Sequence, residues 1–247
     1  MGLAARITRE IRFLDGLART LWRVRKIDPD SDVLICDDFE DAVDRFADHT
    51  ALIFEDERYT YRQLDALANR FAAWADAQGL QRGDTVALLL PNRAEYVPAW
   101  AGLAKVGVAT ALINNNLTGA ALAHCLSISG ASHVITDTES IAALDTIRVA
   151  VARPLTTWVI DADADLAEDR RVLDLKSPKI PPERPSRSRR QGLKSRDVAL
   201  YIYTSGTTGM PKAAKITHMR AQLYMRAFAG STKTTADDKL YCVLPLY

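Results

Sequence analysis

Residues 203–212 read YTSGTTGMPK. Thr204, Ser205, Thr207 and Thr208 offer four hydroxyls, Gly206 and Gly209 free the backbone, and Lys212 adds a positive charge. Backbone N–H groups of a glycine turn can converge on an anion, hydroxyls add donors, and a lysine can balance terminal phosphate oxygens. The chemistry these residue types suit is polyphosphate binding. Gly206 and Lys212 fit the spacing of a Walker A loop, G-x-x-x-x-G-K-[ST]. However, Pro211 stands at the second glycine and Ala213 at the magnesium-binding hydroxyl. Proline has no N–H to give and alanine no oxygen, so the stretch is not a Walker A loop. The glycines are also wrongly spaced for G-x-G-x-x-G. An ordinary Ser/Thr/Gly surface loop is the bland alternative. The length of the complete string, delivered by the apolar run DVALYIY, argues against it.

Other chemistry-bearing residues are weaker candidates. Asp161, Asp163 and Asp165 form DADAD, but Leu166 and Val172 occupy the positions where a calcium loop needs glycine and glutamate, which excludes an EF-hand. His49, His124 and His133 have no spaced Cys, Asp or Glu partners and are assigned structural or surface roles. Thr217 is placed to cap a helix, which gives His218 a packing role. Cys125 lies on an apolar helix face and reads as core, while Asn114–Asn116 read as a turn after a strand.

The elements that must position the motif alternate in type. FEDAVDRFADH reads as a helix, and ALIFEDERYTY as a hairpin turning at Glu55–Arg58. Thr60 and Gln63 form a capping box opening a helix that Gly79 closes. Buried strands are predicted at TVALLLP (85–91), VATALIN (108–114), HVITD (133–137) and TTWVID (156–161). Helices are predicted over about 93–106, from Thr118 to Gly130, and over about 139–151. DVALYIYTSG is a further buried strand, and VLPLY at 243–247 reads as the last one. Near-continuous apolar strands separated by helices argue for an α/β fold of parallel βαβ units with both sheet faces covered. In such sheets ligands bind at the carboxyl ends of the strands, where YTSGTTGMPK emerges.

Composition bounds the partners. The 247 residues are 48% hydrophobic and 26% charged with a net charge of +1, ordinary for a globular protein. Three distant cysteines form neither a disulfide framework nor a metal spacing, so a reducing cytoplasm is the expected location. No run of about 18 apolar residues predicts a membrane span, and arginines interrupt the N-terminus too often for a secretory signal. Residues 1–26 hold seven basic and two acidic residues, with Leu3, Ile7, Ile11, Leu14, Leu17 and Leu21 on one helix face. A basic amphipathic helix of this kind either packs on its own domain or lies on an anionic membrane, peripheral to its inner face. Residues 176–196, KSPKIPPERPSRSRRQGLKSR, carry four prolines and eight basic residues against one acid. They read as an exposed, solvated loop. Without aromatic residues to stack on bases, that charge predicts no nucleic-acid partner.

YTSGTTGMPK resembles the phosphate-loop signature of the acyl-adenylate-forming superfamily. The continuation PKAAKITH is similar to the very-long-chain acyl-CoA synthetase and fatty acid transport protein branch. So is TYRQLDALANRFAAWADAQGLQRGDTVALLLPNRAEYVPAWAGLAKVGVATALINNNL, and VLPLY resembles the start of a further motif. The likeness covers about residues 40–247 and is absent or weak over 1–30. It implies the first part of a large N-terminal adenylation (AMP-binding) domain over 27–247, preceded by the basic helix at 1–26. It implies an acid–thiol ligase that joins a fatty acid to ATP and passes the acyl group to coenzyme A. Thr204, Ser205, Gly206, Thr207, Thr208, Gly209 and Lys212 would hold the ATP phosphates, with Mg2+ on the nucleotide. The family's adenine, ribose and catalytic-lysine segments lie beyond the residues that match. The resemblance therefore implies a truncated chain without its C-terminal domain, with no complete catalytic set and no ligase activity alone. A ligase for another carboxylic acid, or a non-enzymatic membrane-associated protein with a vestigial loop, are the alternatives.

Overall fold

The computed structural model describes residues 3–147, 154–160, 162, 166, 169–204 and 209–247. The fold is α/β. Helices α1 (Leu3–Val24) and α2 (Ile35–Phe46) precede a small hairpin of β1 (Thr50–Phe54) and β2 (Glu57–Thr60). Phe54 pairs with Glu57, so the hairpin turns one residue earlier than expected. Glu55 sits in the left-handed region at φ 52°. Helix α3 (Tyr61–Ala77) opens on the expected capping box: Thr60 Oγ1 accepts from Gln63 N at 3.2 Å, and Gln63 Oε1 accepts from Thr60 N at 2.8 Å.

The main sheet holds β3 (Thr85–Leu89), β4 (Ala109–Leu112), β5 (His133–Thr136), β6 (Thr156–Val159), β7 (Arg170–Val172), β8 (Val198–Thr204) and β9 (Lys212–Thr217), in the order β7-β6-β5-β3-β4-β8-β9. Every pairing is parallel except β8 with β9. The central strand β3 is buried throughout, as both-face coverage demands. Helix α4 (Tyr96–Lys105) follows β3 and packs Tyr96, Ala99 and Leu103 with Val86 and Leu88. Helix α5 (Gly119–Ser129) follows β4 and packs Leu122 and Leu126 with Ala87 and Leu89. Alternate residues of β3 thus feed two cores, one on each face. Gly102 permits the closest crossing: a Cβ there would stand 2.0 Å from Ala68 O of α3.

Four expectations need correction. The helix expected over 139–151 is α6 (Ile141–Asp145); residues 148–151 lie outside the described residues. Thr146 Oγ1 bonds back to Ala143 O at 2.6 Å and accepts from Gly119 N at 2.8 Å, a local alternative to helix continuation. Strand β8 is half-buried rather than buried, because it lies one strand from the sheet edge. VLPLY is irregular chain, not a strand. The largest correction concerns 176–196. Most of it is exposed as expected, Lys176, Lys179, Arg184, Arg187 and Arg196 among its cations, but Arg190, in a short 3-10 turn (Arg187–Arg190), is only 5% exposed.

At the other end of the chain, α1 crosses helix α7 (His218–Ser231) where Gly230 meets the backbone of Thr20. Arg19 Nε donates to Gly230 O at 3.1 Å. The α1 apolar face is left outward, with Ile11, Phe13, Leu14, Leu21 and Trp22 all about 60% exposed. Among the described residues no helix is long and apolar enough to cross a membrane.

Candidate functional site: the carboxyl ends of β3, β4 and β8

The chain leaves β3 and β4 into helices on opposite faces, and the carboxyl ends of strands are where open α/β sheets bind ligands. Asn92 follows β3 and Asn116 follows β4. Asn92 acts like one residue of a strand: its Nδ2 donates to Leu244 O at 3.1 Å and its Oδ1 accepts from Leu246 N at 2.9 Å. Asn116 Nδ2 donates to the Tyr247 hydroxyl at 3.0 Å. The expected Asn turn is present, with Asn116 N donating to Asn114 Oδ1 at 2.8 Å. The two asparagines tie residues 244–247 to the carboxyl ends of β3 and β4, and Leu246 and Tyr247 pack on the α4-side core.

Strand β8, parallel to β4, delivers the glycine-rich stretch at the same end of the sheet. Thr204 pairs with Lys212 and Tyr203 with Ala213, so an antiparallel hairpin closes the loop at both ends. The return strand β9 was not anticipated; alternating small and basic residues in KAAKIT carry little strand signal. Thr204, Gly209 and Lys212 are exposed, and Gly209 has φ 127°, in the region open to glycine. Ser205, Gly206, Thr207 and Thr208 lie outside the described residues, as do Asp161, Asp163 and Asp165 of DADAD. Helix α5 lies against the hairpin. His124 Nε2 is 3.1 Å from Pro211 O, and the Tyr203 hydroxyl donates to Cys125 O at 3.0 Å. Burial chiefly holds the Tyr203 phenol well above its ordinary value, so it stays a donor. Among the described residues, no group of three or more His, Cys, Asp or Glu is arranged to hold a metal ion. The exposed ammonium of Lys212 fits an anion such as a polyphosphate, which carries its own magnesium.

The other histidines and cysteines sit as expected or better. His218 is 2% exposed, its Nδ1 accepts from Ile35 N at 3.4 Å, and burial lowers its pKa to about 4. Thr217 caps α7 through Arg220 N. His133 meets Trp74 edge-on, and Cys125 is core. Sequence reasoning missed the buried ionic cluster around the last turn of α4. There, fully buried Lys105 bonds Asp65 and, at 2.6 Å, Asn69 Oδ1. Arg190 bonds Glu40 Oε2 and Asp37 Oδ1, each at 2.7 Å. On the exposed rim beside it, Arg184 reaches Asp44 at 2.8 Å. Burial also pushes the nearby Cys36 thiol up to about 12.

The chain thus presents a largely parallel α/β sheet whose strand β8 leads at its carboxyl end into a hydroxyl- and glycine-rich stretch without a Walker lysine–hydroxyl pair. The family model described as AMP-binding enzyme matches residues 39–247, and the chain belongs to that family. It is 34% identical over 216 residues to the mouse protein "Long-chain fatty acid transport protein 6", covering 83% of this chain and 34% of that protein. It is 32% identical over 220 residues to "Medium/long-chain-fatty-acid--CoA ligase FadD6" of Mycobacterium tuberculosis, covering 89% of this chain and 35% of that protein. The solved structure "Mycobacterium tuberculosis fatty acyl CoA synthetase" superposes with a TM-score of 0.61 at 29% identity, over 75% of this chain and 34% of that one. The chain thus spans about a third of the length of these relatives. Its fold matches the N-terminal domain of acyl-adenylate-forming enzymes, as the resemblance implied.

Proposed function

We propose that this chain is the phosphate-holding, N-terminal part of a long- or very-long-chain fatty-acid–CoA ligase. In that reaction a fatty carboxylate attacks the α-phosphate of ATP, releasing pyrophosphate. Coenzyme A thiol then displaces AMP from the acyl-adenylate. Thr204, Ser205, Gly206, Thr207, Thr208, Gly209 and Lys212 hold the β- and γ-phosphates, and magnesium enters bound to the nucleotide. The observation that carries this reading is the closed hairpin: Thr204 pairs with Lys212 at the carboxyl end of β8, the neighbour of β4. Anionic charge developing on the leaving pyrophosphate is stabilised there by hydroxyls and an ammonium. The fatty-acid substrate rests on the relatives named above. The residues assigned here hold phosphate and do not by themselves make a complete catalytic set.

Calorimetric titration of the chain with magnesium tripolyphosphate tests the phosphate role. Wild type binds, and Lys212→Ala weakens binding about tenfold, the scale of one charge-assisted contact. Equal binding by both removes Lys212 from the site. Palmitate-dependent ATP–pyrophosphate exchange by the chain is expected to be nil, and measurable exchange would overturn its inactivity. Exchange with aromatic or amino acids but not palmitate would favour a different carboxylate.

A second, compatible reading concerns α1. Its outward apolar face, bordered by Arg6, Arg9, Arg12 and Arg23, suits the interface of an anionic membrane, placing the protein peripherally on the cytoplasmic side. Wild type should float with phosphatidylserine vesicles, and an Ile7/Ile11/Leu14 triple-Asp variant should not. If both float, or neither does, the helix is no membrane anchor.

A further inference from the structure

The hairpin that closes the phosphate loop is held from the side by two consecutive residues of α5. One takes the strand entering the loop: Cys125 O accepts from the Tyr203 hydroxyl at 3.0 Å. The other takes the strand leaving it: His124 Nε2 lies 3.1 Å from Pro211 O. Pro211 has no N–H, so its carbonyl is the one backbone polar group by which that residue can be held. A carbonyl only accepts, so His124 must donate from Nε2, which both the Nε2–H tautomer and the imidazolium can do. The next residue is Lys212, the cation at the loop's exit, paired in register with Thr204.

We infer that His124 is a positioning residue for the phosphate loop: its bond to Pro211 O fixes where β9 begins and therefore where Lys212 stands relative to Thr204. The inference rests on the phosphate reading given above, and extends it from the loop to a histidine 87 residues from Pro211 in sequence. Packing alone would be met by an apolar side chain of similar volume; the half-buried site instead carries a ring whose polar atom meets a backbone oxygen.

Two variants of the 247-residue chain separate hydrogen bonding from packing. His124→Leu keeps bulk and removes the donor, whereas His124→Gln places an amide N–H near the position of Nε2. Hydrogen–deuterium exchange of the β8–β9 hairpin amides reads the hairpin directly, and magnesium tripolyphosphate titration reads the loop. His124→Leu should speed hairpin exchange and weaken tripolyphosphate binding, each about fivefold, the scale of one net hydrogen bond. His124→Gln should stay within about twofold of wild type on both. Wild-type exchange in His124→Leu would overturn the positioning role. Equal losses in both variants would overturn the hydrogen-bond assignment in favour of packing. Faster exchange in His124→Leu, with no tripolyphosphate binding even by wild type, would overturn the phosphate reading while leaving the hairpin contact in place.

Discussion

The two ends of the parallel sheet solve opposite problems. At the amino-terminal end, Lys105, Arg190, Glu40, Asp65 and His218 are buried, and their partners come from α2, α3, α4 and the basic loop. At the carboxyl-terminal end, Thr204, Gly209, Lys212, Asn92 and Asn116 are exposed, and the two asparagines hold residues 244–247 through three hydrogen bonds. Buried charges need fully satisfied partners, and that requirement fixes one arrangement. Exposed donors keep free hydrogen-bonding capacity for a ligand. The difference separates stability from the proposed phosphate chemistry: one end locks the helices around the sheet, and the other leaves the Lys212 side chain exposed.

The most severe way to break this division is at Arg190. Burial disfavours its charge, but its bonds to Glu40 and Asp37 outweigh that and raise its pKa. Arg190→Met leaves a fully buried Glu40 carboxylate short of its guanidinium partner. The expected loss is about 3–5 kcal/mol in urea unfolding. Adding Glu40→Gln should recover part of it, a coupling that a double-mutant cycle measures. A loss below about 1 kcal/mol would mean that the amino end is not held by this pair.

His218 gives the next effect, and its sign follows from burial. Its folded pKa of about 4 lies below the ordinary 6.5, so the unfolded chain binds the proton more readily. The stability contributed by the neutral ring is present above about pH 6.5 and is lost as the pH falls towards about 4. Between pH 7 and pH 5 the expected loss is about 2 kcal/mol. His218→Asn, which retains an acceptor for Ile35 N, should flatten that dependence. An unchanged slope would assign it to other groups.

The sequence made the two ends unequally legible. The order of βαβ units, the capping box at Thr60 and the loop at the end of β8 follow from short-range patterns: apolar runs, a cap spacing and a motif. The amino-end cluster does not, because its members are spread over residues 37–190 and meet only when α2, α3 and α4 pack together. Composition alone read 176–196 as a solvated loop, which holds for most of it but not for Arg190, since charge content says nothing about where partners fold to. Arg190, Arg184 and Arg189 find Glu40, Asp44 and Asp76, each more than 100 residues away. Strand β9 was hidden for a related reason: KAAKIT has little strand propensity, and its pairing with β8 is imposed by the hairpin.

The smallest stability effect belongs to the residue with the largest proposed role in binding. Lys212 is exposed at the start of β9, and its backbone, not its ammonium, makes the pairing with Thr204. Lys212→Ala should therefore leave unfolding within about 0.5 kcal/mol of wild type. The same variant is the one expected to lose tripolyphosphate binding. A substitution that costs binding without costing stability is what a group kept free for a ligand produces, and Arg190→Met should do the reverse. If Lys212→Ala instead unfolded the chain as readily as Arg190→Met, the carboxyl end would be a second structural anchor. The separation of fold from chemistry along the sheet would then fail.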